Sequence, residues 1–381
     1  DVTMTADTIL SISVSEGMFN NEFGAGAVNS EDFQLEFYAN NGNATNAQFI
    51  TVSDTNQGPL TGGEKTILIG LVTDLLASGS EEIAISPASS SSIYDPAGNP
   101  MPVTMTSARV TLPDRLPPMI IAPTSNLSSD NTYVIFTLTE GVYGSDDRTI
   151  PVEPNDFVVE LIQNDLNNAT SVEVDLITNS RQFPVVGGED TLRCYLAIQG
   201  TPSGHERLYI RAANNNSVFD GAGNGLRVSS PTDTLQLFDQ LVPTVVDDLS
   251  TTSDSTISSS IGLPINLVFT EPVQSFSYSV SSSHYNYLTY SDTTTANTFK
   301  LNLHPPLASL DTITLTISNL TDSVGNTAVN LGQTYFTPAL GDYDNDDRVT
   351  VEDLAQFVSF WMADSQPLVL GLGPTSGTFP H

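Results

Sequence analysis

Short runs of strictly alternating apolar and polar residues recur along the chain. Leu10-Ser11-Ile12-Ser13-Val14, Phe33-Gln34-Leu35-Glu36-Phe37, Val172-Glu173-Val174-Asp175-Leu176 and Ile313-Thr314-Leu315-Thr316-Ile317 are the clearest. A period of two places one side of each run on a core and the other in water, as in half-buried strands. Turn-forming clusters separate the runs, among them Asn40-Asn41-Gly42-Asn43 and Pro87-Ala88-Ser89-Ser90-Ser91-Ser92. They supply αL-tolerant positions and local Asx hydrogen bonds. The pattern predicts an all-β protein of the sandwich or barrel type. The one clear helical stripe is Leu354, Phe357, Val358, Trp361 and Met362, near the end of the chain.

The strand pattern is superimposed on a longer repeat. Tyr94-Asp95-Pro96-Ala97-Gly98-Asn99, Phe219-Asp220-Gly221-Ala222-Gly223-Asn224 and Thr321-Asp322-Ser323-Val324-Gly325-Asn326 share Asp-x-x-Gly-Asn. Spacings of roughly 125 and 100 residues suit sandwich domains rather than solenoid repeats. A second repeated stretch carries Glu16 in Val14-Ser15-Glu16-Gly17-Met18-Phe19, Glu140 in Leu138-Thr139-Glu140-Gly141-Val142-Tyr143 and Glu271 in Phe269-Thr270-Glu271-Pro272-Val273. The first two modules also align Asp32-Phe33 with Asp156-Phe157, and Gly62-Gly63-Glu64 with Gly187-Gly188-Glu189. The third is shorter and reads as a version lacking an inserted hairpin or strand pair. Proline-bearing joints place the modules at 1–114, 115–239 and 240–338, with 339–381 left over. Asp-x-x-Gly-Asn itself reads as a turn, the Asp capping backbone N–H groups and the Gly supplying positive φ. Asp95, Asp220 or Asp322, with the repeated Glu, are also candidates for a secondary calcium site.

Charge narrows the partners. The 381 residues include 11 Lys+Arg against 44 Asp+Glu, a formal charge of −33. Such a surface repels nucleic acid and anionic membranes. It suits high salt, divalent cations or simple solubility. Cys194, the single cysteine, allows no intrachain disulfide and no multi-thiolate zinc site; within Thr191–Leu196 it reads as a small buried hydrophobe. No apolar run reaches the ~18–20 residues of a membrane span. A numbering that starts at Asp1 without Met is what removal of a leader produces, and the expected location is extracellular or cell-surface.

The stretch before the helix carries the sharpest chemistry. Asp342, Asp344 and Asp346 occupy positions 1, 3 and 5 of an EF-hand-type loop, Arg348 position 7 through its carbonyl, Thr350 position 9 and Asp353 position 12. Calcium is the expected cofactor, and Val349 is expected to anchor the loop in a core beneath the helix. Loop and helix resemble one half of a dockerin, the calcium-binding module that ends many secreted bacterial proteins. Asp347 stands where EF-hands prefer Gly, and one unit is visible where dockerins have two. The resemblance implies a cohesin-like protein partner.

The three modules resemble bacterial Ig-like domains of surface-layer, adhesin and multidomain secreted proteins. The resemblance implies three tandem Ig-like β-sandwich domains followed by a short calcium-binding loop-helix. His205, His284, His304 and His381 form no HExxH or close pair, and neither Gly-x-Ser-x-Gly nor a phosphate-binding loop occurs. The expectation is a non-enzymatic, exported structural or adhesive protein. The sandwiches act as a stiff spacer, and the C-terminal segment docks onto a partner, either a cohesin-like domain or another copy in a head-to-tail filament or layer. The alternatives are a non-catalytic arm of a secreted enzyme and a carbohydrate-binding module, the latter motivated by Tyr278, Tyr285, Tyr287 and Tyr290.

Overall fold

A computed structural model describes residues 1–363 apart from 124, 163, 248–249, 252, 254, 257–264, 284–287, 296, 305–309, 338, 340 and 342–347. The chain forms two compact units, one holding residues 1–164, 169–200 and 206–237, the other 165–168, 201–205 and 238–381. The first unit contains two sandwiches and the second contains one.

In the first sandwich, β1 (Val2–Ala6), β2 (Ile9–Met18), β5 (Glu64–Thr73) and β4 (Ala47–Ser53) form a sheet in the order β1-β2-β5-β4. It packs against β3 (Phe33–Tyr38), β6 (Glu82–Pro87) and β7 (Val110–Thr111), ordered β3-β6-β7. The second sandwich repeats the scheme. Its sheets are β8 (Asn126–Leu127), β9 (Tyr133–Val142), β12 (Glu189–Gln199) and β11 (Ser171–Asn179), ordered β8-β9-β12-β11, and β10 (Phe157–Ile162), β13 (Arg207–Ala212) and β14 (Leu235–Gln236), ordered β10-β13-β14. Lettered A to G in chain order, both are ABED on CFG, the arrangement of a seven-stranded Ig domain. The expected all-β, Ig-like class is the one observed.

Alternation drives the packing as the sequence indicates. Ile67, Ile69 and Leu71 of β5, and Val134, Phe136 and Leu138 of β9, are buried at every second position. They meet the facing sheets in two separate cores, the second centred on an edge-to-face Phe136–Phe157 pair with centroids 5.7 Å apart. Cys194 is fully buried in that core, and burial pushes its thiol pKa up. The shared Asp-Phe pairs mark the entry to β3 and β10. Asp32 and Asp156 accept from the N–H of Asn29 and Glu153, both at 2.8 Å, while Phe33 and Phe157 plunge into the cores. The Gly-Gly-Glu stretches are equally local. A Cβ on Gly17 would lie 2.5 Å from the Gly63 carbonyl oxygen, and one on Gly141 2.3 Å from that of Gly188. Only backbone fits at these two crossings.

The third sandwich corrects one expectation. Among its described residues it has seven strands, like the others: β15 (Ser255–Thr256), β21 (Leu331–Phe336), β20 (Thr312–Asp322) and β17 (Val273–Ser282) in one sheet, and β16 (Ile265–Val268), β19 (Thr298–His304) and β18 (Leu288–Thr295) in the other. Each of the seven strands of the first two sandwiches has a counterpart among its described residues. The module is shorter because its connections are. Val268 to Val273 replaces the long passage from Met18 to Phe33, and Thr295 to Thr298 replaces Ser53 to Glu64. β20 also runs directly into the Asp322 turn. Here β15 pairs in parallel with β21 instead of joining the sheet of β16. Ile313, Leu315, Ile317 and Tyr335 are fully buried in its core. Helix α1 (Val351–Ala363) follows.

Candidate metal centres at the module entrances

Each Asp-x-x-Gly-Asn segment is a tight turn built on its aspartate. Asp95 Oδ1 accepts from the N–H of Ala97 and Asn99, both at 2.8 Å, and its Oδ2 accepts from the Asn99 side chain at 2.8 Å. Asp220 makes the same bonds to Ala222, Asn224 and the Asn224 amide at 2.7, 2.8 and 2.8 Å. Asp322 binds the N–H of Val324, Gly325 and Asn326 and the Asn326 amide, at 2.7–2.9 Å. Gly98, Gly223 and Gly325 have φ of 83°, 89° and 104°, where a side chain is strained. The structural role expected of the motif is therefore present in all three copies.

Two copies do more. Asp220 is joined by Glu140, at the end of β9, and by Asp114, from the segment entering the second sandwich; one carboxylate oxygen of each lies within 4.8 Å of the others. Asp322, Glu271 and Asp239 form the same cluster at the third sandwich, again within 4.8 Å. The motif asparagine links turn to incoming segment. Asn224 Nδ2 donates to the Asp114 carbonyl at 3.3 Å, and Asn326 Nδ2 to those of Asp239 and Leu241 at 3.3 and 3.2 Å.

The clusters are electrostatically costly alone. Two like charges at this separation repel by roughly 3–4 kcal/mol at an effective dielectric of 20. Burial, then the charges of Asp220 and Asp114, raises Glu140 to about 7, and burial with Asp239 and Asp322 raises Glu271 to about 7. Burial also raises Asp114, where the Leu116 N–H lowers it and the charges of Asp220 and Glu81 add to the rise. Among the described residues the ion pairs are Arg109–Glu82, Arg115–Asp7 and Arg211–Glu160, none with a cluster carboxylate. Glu271 Oε1 is buried without a hydrogen-bond partner, a defect worth about 1–3 kcal/mol for a neutral group and more for a charged one. Oxygens sharing one calcium at 2.3–2.6 Å cannot be more than about 5 Å apart, so the observed spacing fits a common hard cation.

The first sandwich holds only part of this set. Glu16 is exposed, and Asp95 has its pKa lowered by the Asn99 side chain and by N–H donors. Sequence reasoning paired the repeated Glu with the motif Asp but missed Asp114 and Asp239. Their signal is positional, because each follows by two residues a buried leucine that ends the preceding module, Leu112 or Leu237. Glu81 and Glu206, also missed, are fully buried and receive the N–H of Ala44 and Ala169 at 2.7 and 2.9 Å. They hold loops in place.

Asp342, Asp344 and Asp346 of the C-terminal loop lie outside the described residues. Thr350 and Asp353 come together at the helix start. Thr350 N–H donates to Asp353 Oδ2 at 2.7 Å, and Thr350 Oγ1 receives the Glu352 N–H at 3.2 Å, a capping arrangement. Arg348 is exposed. Val349 is 59% exposed and does not anchor the loop in a core, and Leu354 of the apolar stripe is equally open. Among the tyrosines considered for sugar stacking, Tyr278 packs on the third core beside Phe299, with centroids 5.2 Å apart, while Tyr285 and Tyr287 lie outside the described residues.

No protein-family profile matches the chain, and no curated protein matches it in sequence. Among solved structures, the N-terminal part of the bacterial S-layer protein SbsC is similar at 13% identity and TM-score 0.20, over 58% of this chain and 44% of that one. Invasin, a bacterial integrin-binding protein, gives 12% and 0.28 over 87% and 60%. The I9–I11 tandem of titin gives 8% and 0.26 over 86% and 91%. Values this low establish no shared function.

Proposed function

We propose that the chain is a structural segment of an exported, cell-surface protein, a series of Ig-like modules whose entrances are locked by calcium. The observation that carries the reading is the recurrence of one carboxylate triad, Asp114–Glu140–Asp220 and Asp239–Glu271–Asp322, each joining an incoming segment to the module it enters. An ion there would neutralise three crowded charges and give the orphaned Glu271 oxygen a partner. It would tie the incoming segment to the motif turn. The C-terminal loop, through Asp342, Asp344, Asp346, Arg348, Thr350 and Asp353, would hold a further calcium and present α1 to a protein partner. A net charge of −33 favours divalent cations over anionic partners.

The test is thermal unfolding in EDTA and in calcium. At a hundredfold excess over Kd, binding stabilises by about 2.7 kcal/mol, or roughly 10–13 °C for a module of about 100–125 residues. Asp114→Asn with Asp239→Asn should remove most of that response. An unfolding curve indifferent to calcium would defeat the proposal.

A further inference from the structure

The chain holds two Asn-Gly pairs, Asn41-Gly42 in the first sandwich and Asn224-Gly225 in the second. Such a pair can modify itself. The glycine nitrogen attacks the carboxamide of the asparagine before it, and a residue without Cβ leaves that approach open. The two pairs carry the same chemistry in opposite settings.

Asn224 is held. Its Nδ2 donates to Asp220 Oδ2 at 2.8 Å and to the Asp114 carbonyl at 3.3 Å, its N–H donates to Asp220 Oδ1 at 2.8 Å, and the residue is half-buried. Attack on its Cγ has to break both amide bonds and draw the carboxamide out of the motif turn. Asn41 is bare. It is exposed in the loop between β3 and β4, and its side chain has no hydrogen-bond partner. Asn40 and Asn41 have φ of 47° and 64°, and Gly42 N–H donates to the Ala39 carbonyl at 2.6 Å, which closes a type I′ turn. That backbone bond restrains the attacking nitrogen at a position open to solvent. The fold cannot exchange Gly42 for a slower-reacting residue, because a Cβ there would overlap the buried Glu81 carboxyl.

We infer that Asn41 is a self-modification site, converted with water to aspartate and isoaspartate, and that the conversion loosens the loop around it. Gly42 N loses its proton to solvent and forms a bond to Asn41 Cγ. The Cγ–Nδ2 bond breaks, and Nδ2 takes protons from water and leaves as ammonia. Water then opens the five-membered imide. Opening at Cγ leaves aspartate at position 41. Opening at the main-chain carbonyl leaves isoaspartate, whose backbone runs through Cβ and Cγ and is one atom longer. Water is the sole co-reactant, and nothing is oxidised or reduced. Either product adds a negative charge to a loop that acidic side chains strap down. Ala44 N–H donates to Glu81 at 2.7 Å, Thr45 N–H to Asp74 at 2.9 Å and Asn40 Nδ2 to Glu82 at 3.0 Å. The longer isoaspartate backbone also drives Gly42 against Glu81. The inference is independent of the calcium reading.

The test incubates the full chain in mildly alkaline buffer and follows both pairs by tandem mass spectrometry. A gain of about 1 Da at Asn41, with ammonia released, should build up roughly tenfold faster than at Asn224, whose amide bonds must first break. In urea, where both side chains are free, the two rates should converge. Asn41→Gly, which suits the positive φ, should remove most of the ammonia. Hydrogen exchange at the Ala44 amide should rise several-fold in the aged chain and stay unchanged in aged Asn41→Gly. No gain at Asn41, or equal rates at Asn41 and Asn224 in the folded chain, overturns the modification site. Unchanged Ala44 exchange in converted chains overturns its effect on the loop.

Discussion

The entrances of the first and second sandwiches carry the same local sequence in different surroundings. Val14, Glu16 and Asp95 correspond to Leu138, Glu140 and Asp220. The turn forms identically in both, with matching hydrogen bonds from the motif asparagine and backbone. What differs is the segment laid across it. With residues 114–121 in place, Asp220 is fully buried and Glu140 is pushed up to about 7. At the first sandwich, Ser15 and Glu16 are exposed. The motif therefore makes a turn by itself, and the incoming segment is what adds the third carboxylate of the cluster.

The comparison can be broken hardest in the core. Leu138→Ala should cost about 2–5 kcal/mol by cavity formation, whereas Val14→Ala, at a half-open position, should cost under about 1 kcal/mol. Chemical denaturation of both variants measures the contrast, and equal losses would mean the incoming segment contributes nothing to burial. Charge comes next. Glu140→Gln removes repulsion, so it should raise the melting temperature in EDTA and shrink the calcium response, while Glu16→Gln should change neither.

The pH dependence sharpens the same contrast in metal-free protein. Glu140 and Glu271 have folded pKa values of about 7, above the ordinary 4.5. Their contribution is full below about pH 4.5 and is lost as pH rises through 7. Asp74, held at about 2 by Thr45, contributes fully above about pH 4 and loses that contribution only as pH falls toward 2, outside that window. Melting in EDTA should thus fall between pH 5 and 8, and saturating calcium should flatten or reverse the fall. A smaller effect is expected from Asn224→Ala. It removes the amide bonds to Asp220 and Asp114 at a cost of about 1 kcal/mol, more than the exposed Asn99→Ala.

Much of this was legible in the sequence. Alternation at Ile313, Leu315 and Ile317, or at Leu10 and Ile12, is a direct consequence of strand geometry and needs no tertiary knowledge. The Asp-x-x-Gly-Asn turn is equally local. The strand count of the third module was not legible, because a shortened loop and a deleted strand look alike when only the distance from Glu271 to Asp322 is read. Asp114 and Asp239 were hidden for a related reason. They lie in joints whose residues look like solvated linker, and they gain meaning only when the fold brings them against Glu140 and Glu271 from far along the chain. Val349 misled because an apolar residue in a loop signals burial on average, not in each case.

Equilibrium dialysis of calcium against the wild-type chain and the Glu140→Gln, Glu271→Gln double variant tests the central claim most directly. The account predicts that the double variant binds two fewer ions per chain. Identical stoichiometry and affinity in the two proteins would contradict it.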